Sequence, residues 1–177
     1  MKKIVLLLFT SLLSIALIAQ PHNAEKRLQQ LIEETPAAGL AVVVVKNNKI
    51  AYQHNFGYKN LENKEPLTAE SLFRIASISK SFTATALLQL VEQKRITLDD
   101  DVSKLIGFTV CNPAYPNKII TLRLLLSHRS SLNDSQGYFN LDVIDPATNT
   151  NFSKCYNQYS PGEGYQYCNL NFNIAGT

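Results

Sequence analysis

Apolar residues crowd the start of the chain from Ile4 to Ala19, broken only by Thr10, Ser11 and Ser14, with Lys2 and Lys3 ahead of them. Small Ala16 and Ala19 then give way to polar Gln20-Pro21-His22-Asn23. A charged start, a short apolar run and small residues before a polar stretch are the pattern of a secretory signal, and the run is short for a spanning helix. The expectation is that residues 1–19 are removed on export to a periplasmic or extracellular space, leaving no stable membrane anchor. Beyond this segment the apolar pattern changes period. Leu28, Leu31 and Ile32 share one face of a helix predicted over Ala24–Glu34, which Pro36 ends. The β-branched run Leu40–Val45 predicts a strand buried on both faces. Asn47-Asn48 has two-residue turn chemistry, and Ile50–Gly57 supplies the returning strand. Glu62–Leu67 is a polar connection, and Thr68 is placed to cap a short turn.

The stretch from about Ser79 to Gln93 is apolar nearly all round, which predicts a core helix. Two prolines mark Asn112–Asn117 as a loop, and Thr121 is a candidate N-cap for a short helix through Ser127. From Ser130 to Gly164 the chain is rich in Ser, Asn, Asp, Pro, Gly and Tyr with weak periodicity, the composition of a long loop wall around a cleft. Asn169–Thr177 then reads as the opening turns of another helix. Residues 20–177 are enough for one domain with a core.

Lys2 and Lys3 account for most of the formal net charge of +3, and no long basic run follows, which excludes a nucleic-acid partner. The three histidines, His22, His54 and His128, are scattered and no Cys-x-x-Cys pair occurs, so neither a metal nor a cofactor is expected. The cysteines are Cys111, Cys155 and Cys168. An oxidising space permits one disulfide, and Cys155–Cys168, within one loop-rich stretch, is the expected pair.

Candidate chemistry lies in Ser77-Ile78-Ser79-Lys80, at the mouth of the apolar helix. A spacing of three sets Ser77 beside Lys80 on one helical face. A serine hydroxyl is a weak nucleophile until a base takes its proton, and a desolvated lysine can be that base. Alone, the motif is as compatible with a surface lysine solvating a first turn. Its surroundings decide. The segment Ser71–Ala84 resembles the nucleophile segment of the class C β-lactamase and esterase family, which also holds penicillin-binding proteins, D-alanyl-D-alanine carboxypeptidases and D-aminopeptidases. Thr97–Val102 and Leu125–Leu132 resemble further family stretches, with Ser131 where glycine is commoner. Pro161–Asn169 resembles the segment carrying the second motif, Tyr-x-Asn.

The resemblance runs from about Gly39 to Thr177 and implies a two-part α/β (α+β) fold of the β-lactamase/transpeptidase type. Such a fold has an antiparallel sheet flanked by helices and a mostly helical, loop-rich part. No Lys-Thr-Gly or His-x-Gly triplet occurs and the strands form only a hairpin. The expectation is therefore an incomplete sheet and a C-terminally truncated hydrolase domain over 20–177. By resemblance Ser77 is the nucleophile, Lys80 its base and Tyr167 the third member of a proton relay, while Asn169 binds the substrate's acyl-side amide and holds Lys80. Tyr-x-Asn occurs four times, beginning at Tyr58, Tyr115, Tyr138 and Tyr167. Only the last follows Pro-Gly at family spacing, and Tyr138 ranks second. Cys168 departs from the usual serine. A Ser–His reading through His128 with an acid among Asp99–Asp101 is disfavoured, because no Gly-x-Ser-x-Gly elbow exists.

These readings imply an exported serine hydrolase working through an acyl-serine intermediate. Its partner would be a small-molecule or peptide substrate, with a β-lactam, a D-amino-acid or cell-wall peptide, and an ester all open. The rival reading is a non-catalytic peptidoglycan-binding or sensor module, or an inactive fragment.

Overall fold

The computed structural model describes residues 20–177, so the export signal expected over 1–19 lies outside the described residues. Two compact units divide at Arg74 and Ile75.

In the first unit, helix α1 (Gln20–Glu34) precedes a hairpin of β1 (Gly39–Lys46) and β2 (Lys49–Asn60), and a two-residue strand β3 (Glu65–Pro66) completes an antiparallel sheet of order β1-β2-β3. The hairpin turn follows from Asn47 and Asn48, whose φ angles of 52° and 57° match the left-handed pair that a two-residue turn demands. Register runs from Gly39 opposite Gly57 to Lys46 opposite Lys49, with an irregularity at Val44/Val45. Gly57 has φ 73°, and a Cβ there would lie 2.5 Å from the Ala38 carbonyl oxygen, so only glycine fits. His54 Nδ1 stands 3.0 Å from Glu25 Oε1, tying β2 to α1. Among the described residues, Phe56 and Leu67 are this unit's buried apolar side chains.

The expectation that β1 is buried on both faces is not met. Val43, Val44 and Val45 are 54%, 47% and 64% exposed, because among the described residues β1 is an edge strand with no second layer over its outer half. An exposed apolar edge is a template for pairing with another chain. At micromolar concentration the chain is therefore expected to elute from gel filtration as oligomers, and Val44→Lys to shift it towards monomer.

The second unit begins with a 3₁₀ turn (Ala76–Ile78) that feeds α2 (Ser79–Glu92), followed by α3 (Val102–Ile106), α4 (Leu122–Leu126) and α5 (Asn169–Ala175). Asp101 caps α3 by accepting from the Ser103 N–H at 3.0 Å, and Thr121 caps α4 by accepting from Leu124. The stretch from Ser130 to Gly164 is loop, interrupted by 3₁₀ turns at Leu141–Val143 and Phe152–Cys155. One core gathers Val102, Val110, Ile120, Leu122, Leu125, Leu132, Ile144, Leu170 and Ile174 from helices and loop alike.

Two sequence expectations fail in this unit. Helix α2 contains no fully buried residue, and Phe82 and Leu88 are 67% and 48% exposed. A helix that is apolar all round needs partners on every side, whereas α2 packs Leu87 on the core and leaves its other apolar residues half-buried or exposed. Cys155 and Cys168 are not joined, and all three cysteines are free. Each buried thiol is turned to an acceptor instead, Cys155 to the Val143 carbonyl at 3.3 Å and Cys168 to Asp134 Oδ1 at 3.1 Å.

Among the described residues, no helix is long and apolar enough to cross a membrane, and no group of three or more His, Cys, Asp and Glu side chains is placed to hold a metal.

Candidate active site

The turn before α2 sets the site. Ala76 adopts φ 42°, a conformation that costs a non-glycine residue energy, and Ser77 follows it on the 3₁₀ turn. The α-helix starts at Ser79, two residues later than a helix beginning at Ser77 would. Ser77 and Lys80 still share a face, and the Lys80 ammonium donates to Ser77 Oγ at 3.1 Å.

From 90 residues away, the Tyr167 hydroxyl donates to the same Ser77 oxygen at 2.7 Å. Lys80 also donates to Asn169 Oδ1 at 2.8 Å, and its ammonium lies 5.0 Å from the Tyr167 ring centroid. The structure thus brings together Ser77, Lys80, Tyr167 and Asn169. Tyr138, the second-ranked tyrosine, lines a cavity beside Lys80 instead of contacting Ser77. Contact with Lys80 and then the bond to Ser77 hold the Tyr167 phenol below its usual range, since both favour the phenolate.

Tyr167 is aimed by its own segment. Gly162 has φ 94°, and a Cβ on Gly164 would lie 2.5 Å from the Tyr159 ring, so this approach to Tyr167 admits glycine at both positions. The Gly162 N–H donates to the Arg129 carbonyl at 2.9 Å and the Gln166 N–H to the His128 carbonyl at 3.0 Å. Ser131, where the resemblance leads to an expectation of glycine, has φ 67°, a left-handed backbone that glycine adopts without strain. Asn112 Nδ2 donates to its hydroxyl at 2.7 Å.

His128 takes no part in a Ser–His pair. Its Nδ1 accepts from the Cys168 N–H at 3.2 Å, and its ring lies 4.5 Å from that of Tyr167, centroid to centroid. The candidate triad acids are engaged elsewhere: Asp99 with Arg123 at 2.8 Å, Asp100 with Thr97, and Asp101 at the α3 cap. Burial, followed by the nearby Lys80 charge, pushes the His128 imidazole below its ordinary value of 6.5. The unfolded chain therefore binds this proton more readily, and stability falls as pH drops below about 6.5. His128→Gln is expected to flatten the unfolding midpoint between about pH 5 and 7, a window read by thermal melts of both proteins.

Sequence reasoning missed Asp134. Its carboxylate accepts from the Asn169 N–H at 2.9 Å, Asn169 Nδ2 at 2.8 Å, the Leu170 N–H at 3.0 Å and the Cys168 thiol at 3.1 Å. Burial raises its pKa, yet the Leu170, Asn169 and Cys168 donors together outweigh that and hold the carboxyl below the usual range. These bonds fix the first turn of α5 and leave Asn169 Oδ1 facing Lys80. Burial and the bond to Asp134 push the Cys168 thiol up to about 12, so it remains a protonated donor.

Comparison with known proteins fits this geometry. The Beta-lactamase family model matches residues 25–177. The chain is 32% identical over 165 residues to penicillin-binding protein 4* of Bacillus subtilis (strain 168), covering 85% of this chain and 35% of that protein. An octameric penicillin-binding protein homologue from Pyrococcus abyssi superposes with TM-score 0.67 at 28% identity, over 85% of this chain and 37% of its own. D-amino acid amidase from Ochrobactrum anthropi SV3 superposes with TM-score 0.65 at 27% identity, over 88% and 43%. The chain spans about a third of the length of the curated relatives it matches. With its helices, its antiparallel sheet and these relatives, it has the β-lactamase/transpeptidase type of fold and belongs to the β-lactamase family.

Proposed function

We propose that the protein is an exported serine hydrolase in which Ser77 is acylated by a β-lactam, a D-amino-acid peptide or an ester and then freed by water. The observation that carries this reading is the pair of hydrogen bonds converging on Ser77 Oγ, from Lys80 at 3.1 Å and Tyr167 at 2.7 Å. Both neighbours donate in the resting arrangement, so the serine proton leaves once one of them has lost its own. The lowered Tyr167 phenol is placed to be that acceptor, with Lys80 beside it holding the negative charge. The three groups then titrate as a set rather than singly.

In acylation Ser77 Oγ bonds to the substrate's carbonyl carbon. The C–N or C–O bond to the leaving group breaks, and the serine proton passes through the Tyr167–Lys80 pair to the departing nitrogen or oxygen. Water then attacks the ester carbonyl, gives its proton back through the same pair, and Ser77 is regenerated. The backbone N–H of Ser77, on the 3₁₀ turn ahead of α2, serves as one oxyanion donor. Residues 1–19 act as the export signal, and Asn169 holds Lys80 while offering its amide to the acyl side of the substrate.

The test is to measure kcat/KM for nitrocefin and p-nitrophenyl acetate in Lys80→Ala and Tyr167→Phe. Each is expected to lose at least about a hundredfold, Tyr167→Phe by removing the proton acceptor and Lys80→Ala by removing the charge that supports it. Wild-type turnover in Lys80→Ala, or a loss confined to His128→Ala, contradicts the assignment.

A further inference from the structure

We infer that the cavity beside Lys80 is an acyl-group subsite that selects substrates carrying a flat aromatic ring on the acyl side. This rests on the hydrolase reading above and deepens it. The cavity holds about 290 Å³ and is lined by Lys80, Tyr138, Phe139, Asn169, Phe172 and Asn173. It falls just below the roughly 300–1,000 Å³ of small-molecule pockets, the size of one substituent rather than a peptide.

Its walls are aromatic and its inner end is polar. Asn169, Phe172 and Asn173 are spaced three and four apart on α5 and share a face. The Lys80 ammonium stands 5.8 Å from the Phe172 ring centroid. Opposite, the Tyr138 and Phe139 rings lie 4.3 Å apart at 36°. Asn173 Nδ2 donates to the Tyr138 carbonyl at 2.6 Å, which pins this loop to α5. Phe139 is 87% exposed, a large apolar side chain left in water at the rim. A second ring entering the cavity would bury that surface and stack on it, whereas an acetyl group would leave the cavity to water. At the polar end, Lys80 and Asn169 lead directly to Ser77.

The test separates binding from chemistry. In the full chain carrying Ser77→Ala, which cannot turn over, N-phenylacetylglycine and N-acetylglycine are titrated by NMR chemical shift. The phenylacetyl ligand is expected to bind about tenfold tighter or more. Adding Phe139→Ala is expected to cut that preference to about threefold or less, with circular dichroism confirming the fold. Equal affinities overturn the subsite, as does a preference that survives both Phe139→Ala and Tyr138→Ala. Labelling of the wild-type chain by a small ethyl fluorophosphonate reads the nucleophile separately, since that probe does not need the cavity. An aromatic preference without labelling upholds the subsite and sinks the hydrolase reading. Labelling without the preference does the reverse.

Discussion

Ser77→Ala is expected to abolish turnover, a fall in kcat of about 10⁴-fold or more, with the thermal unfolding midpoint unchanged. Losing a nucleophile removes the covalent route entirely, and only binding and electrostatic effects survive. The fold is insulated from the change. Ser77 is exposed, its oxygen is bonded only within the site, and the buried core contains no atom of it. Lys80 keeps its bond to Asn169 when the serine oxygen is gone, so no buried charge is left without a partner. Stopped activity with intact melting separates a catalytic role from a structural one. Retained turnover in Ser77→Ala would place the chemistry elsewhere.

Asp134→Ala is expected to do both kinds of damage. It removes the acceptor of four hydrogen bonds at the start of α5, three from the peptide and side chain of Asn169 and from Leu170, and one from the Cys168 thiol. Bonds to a charged acceptor are worth about 1.5–3 kcal/mol each, but water and relaxation recover part of that. A net loss of about 3 kcal/mol follows, which lowers the midpoint by roughly 6–12 °C for a chain of this size. Without its anchor, Asn169 no longer fixes Lys80, and kcat is expected to fall about tenfold to a hundredfold. Asp134→Asn presents an amide N–H₂ to groups that themselves donate, so it is not expected to restore either property. The Asp134 carboxyl stays ionised in the fold to a lower pH than in the unfolded chain, so its contribution is present above the ordinary carboxylate value near 3.8. It is lost as pH falls through the lowered one. Melting midpoints and kcat, compared for wild type, Asp134→Ala and Asp134→Asn, check these expectations.

The part of the site that is local in sequence was legible. Ser77 and Lys80 meet because three residues of helical spacing bring them together, which needs no knowledge of the rest of the fold. The hairpin was equally legible, because Asn47-Asn48 tolerates the positive φ its turn requires. Tyr167 and Asn169 were selected among four Tyr-x-Asn triplets through their Pro-Gly context, a family signal rather than a physical one. Asp134 carried no such mark. Asn133-Asp134-Ser135 has the composition of any polar loop, and its partners lie 34 to 36 residues further on. Burial was misread for β1 and α2 for one reason. Apolar pattern reports a side chain's preference, but its exposure depends on which neighbours the chain supplies. Pairing Cys155 with Cys168 rested on count and proximity in sequence, whereas geometry turned the Cys168 thiol to Asp134.

The central claim is that Ser77 forms an acyl-enzyme. It is tested most directly by intact-protein mass spectrometry after incubation with benzylpenicillin or a fluorophosphonate, followed by peptide mapping. The account predicts a single adduct on the peptide containing Ser77, absent from Ser77→Ala and strongly reduced in Lys80→Ala. An unmodified chain, or an adduct that persists in Ser77→Ala, would contradict it.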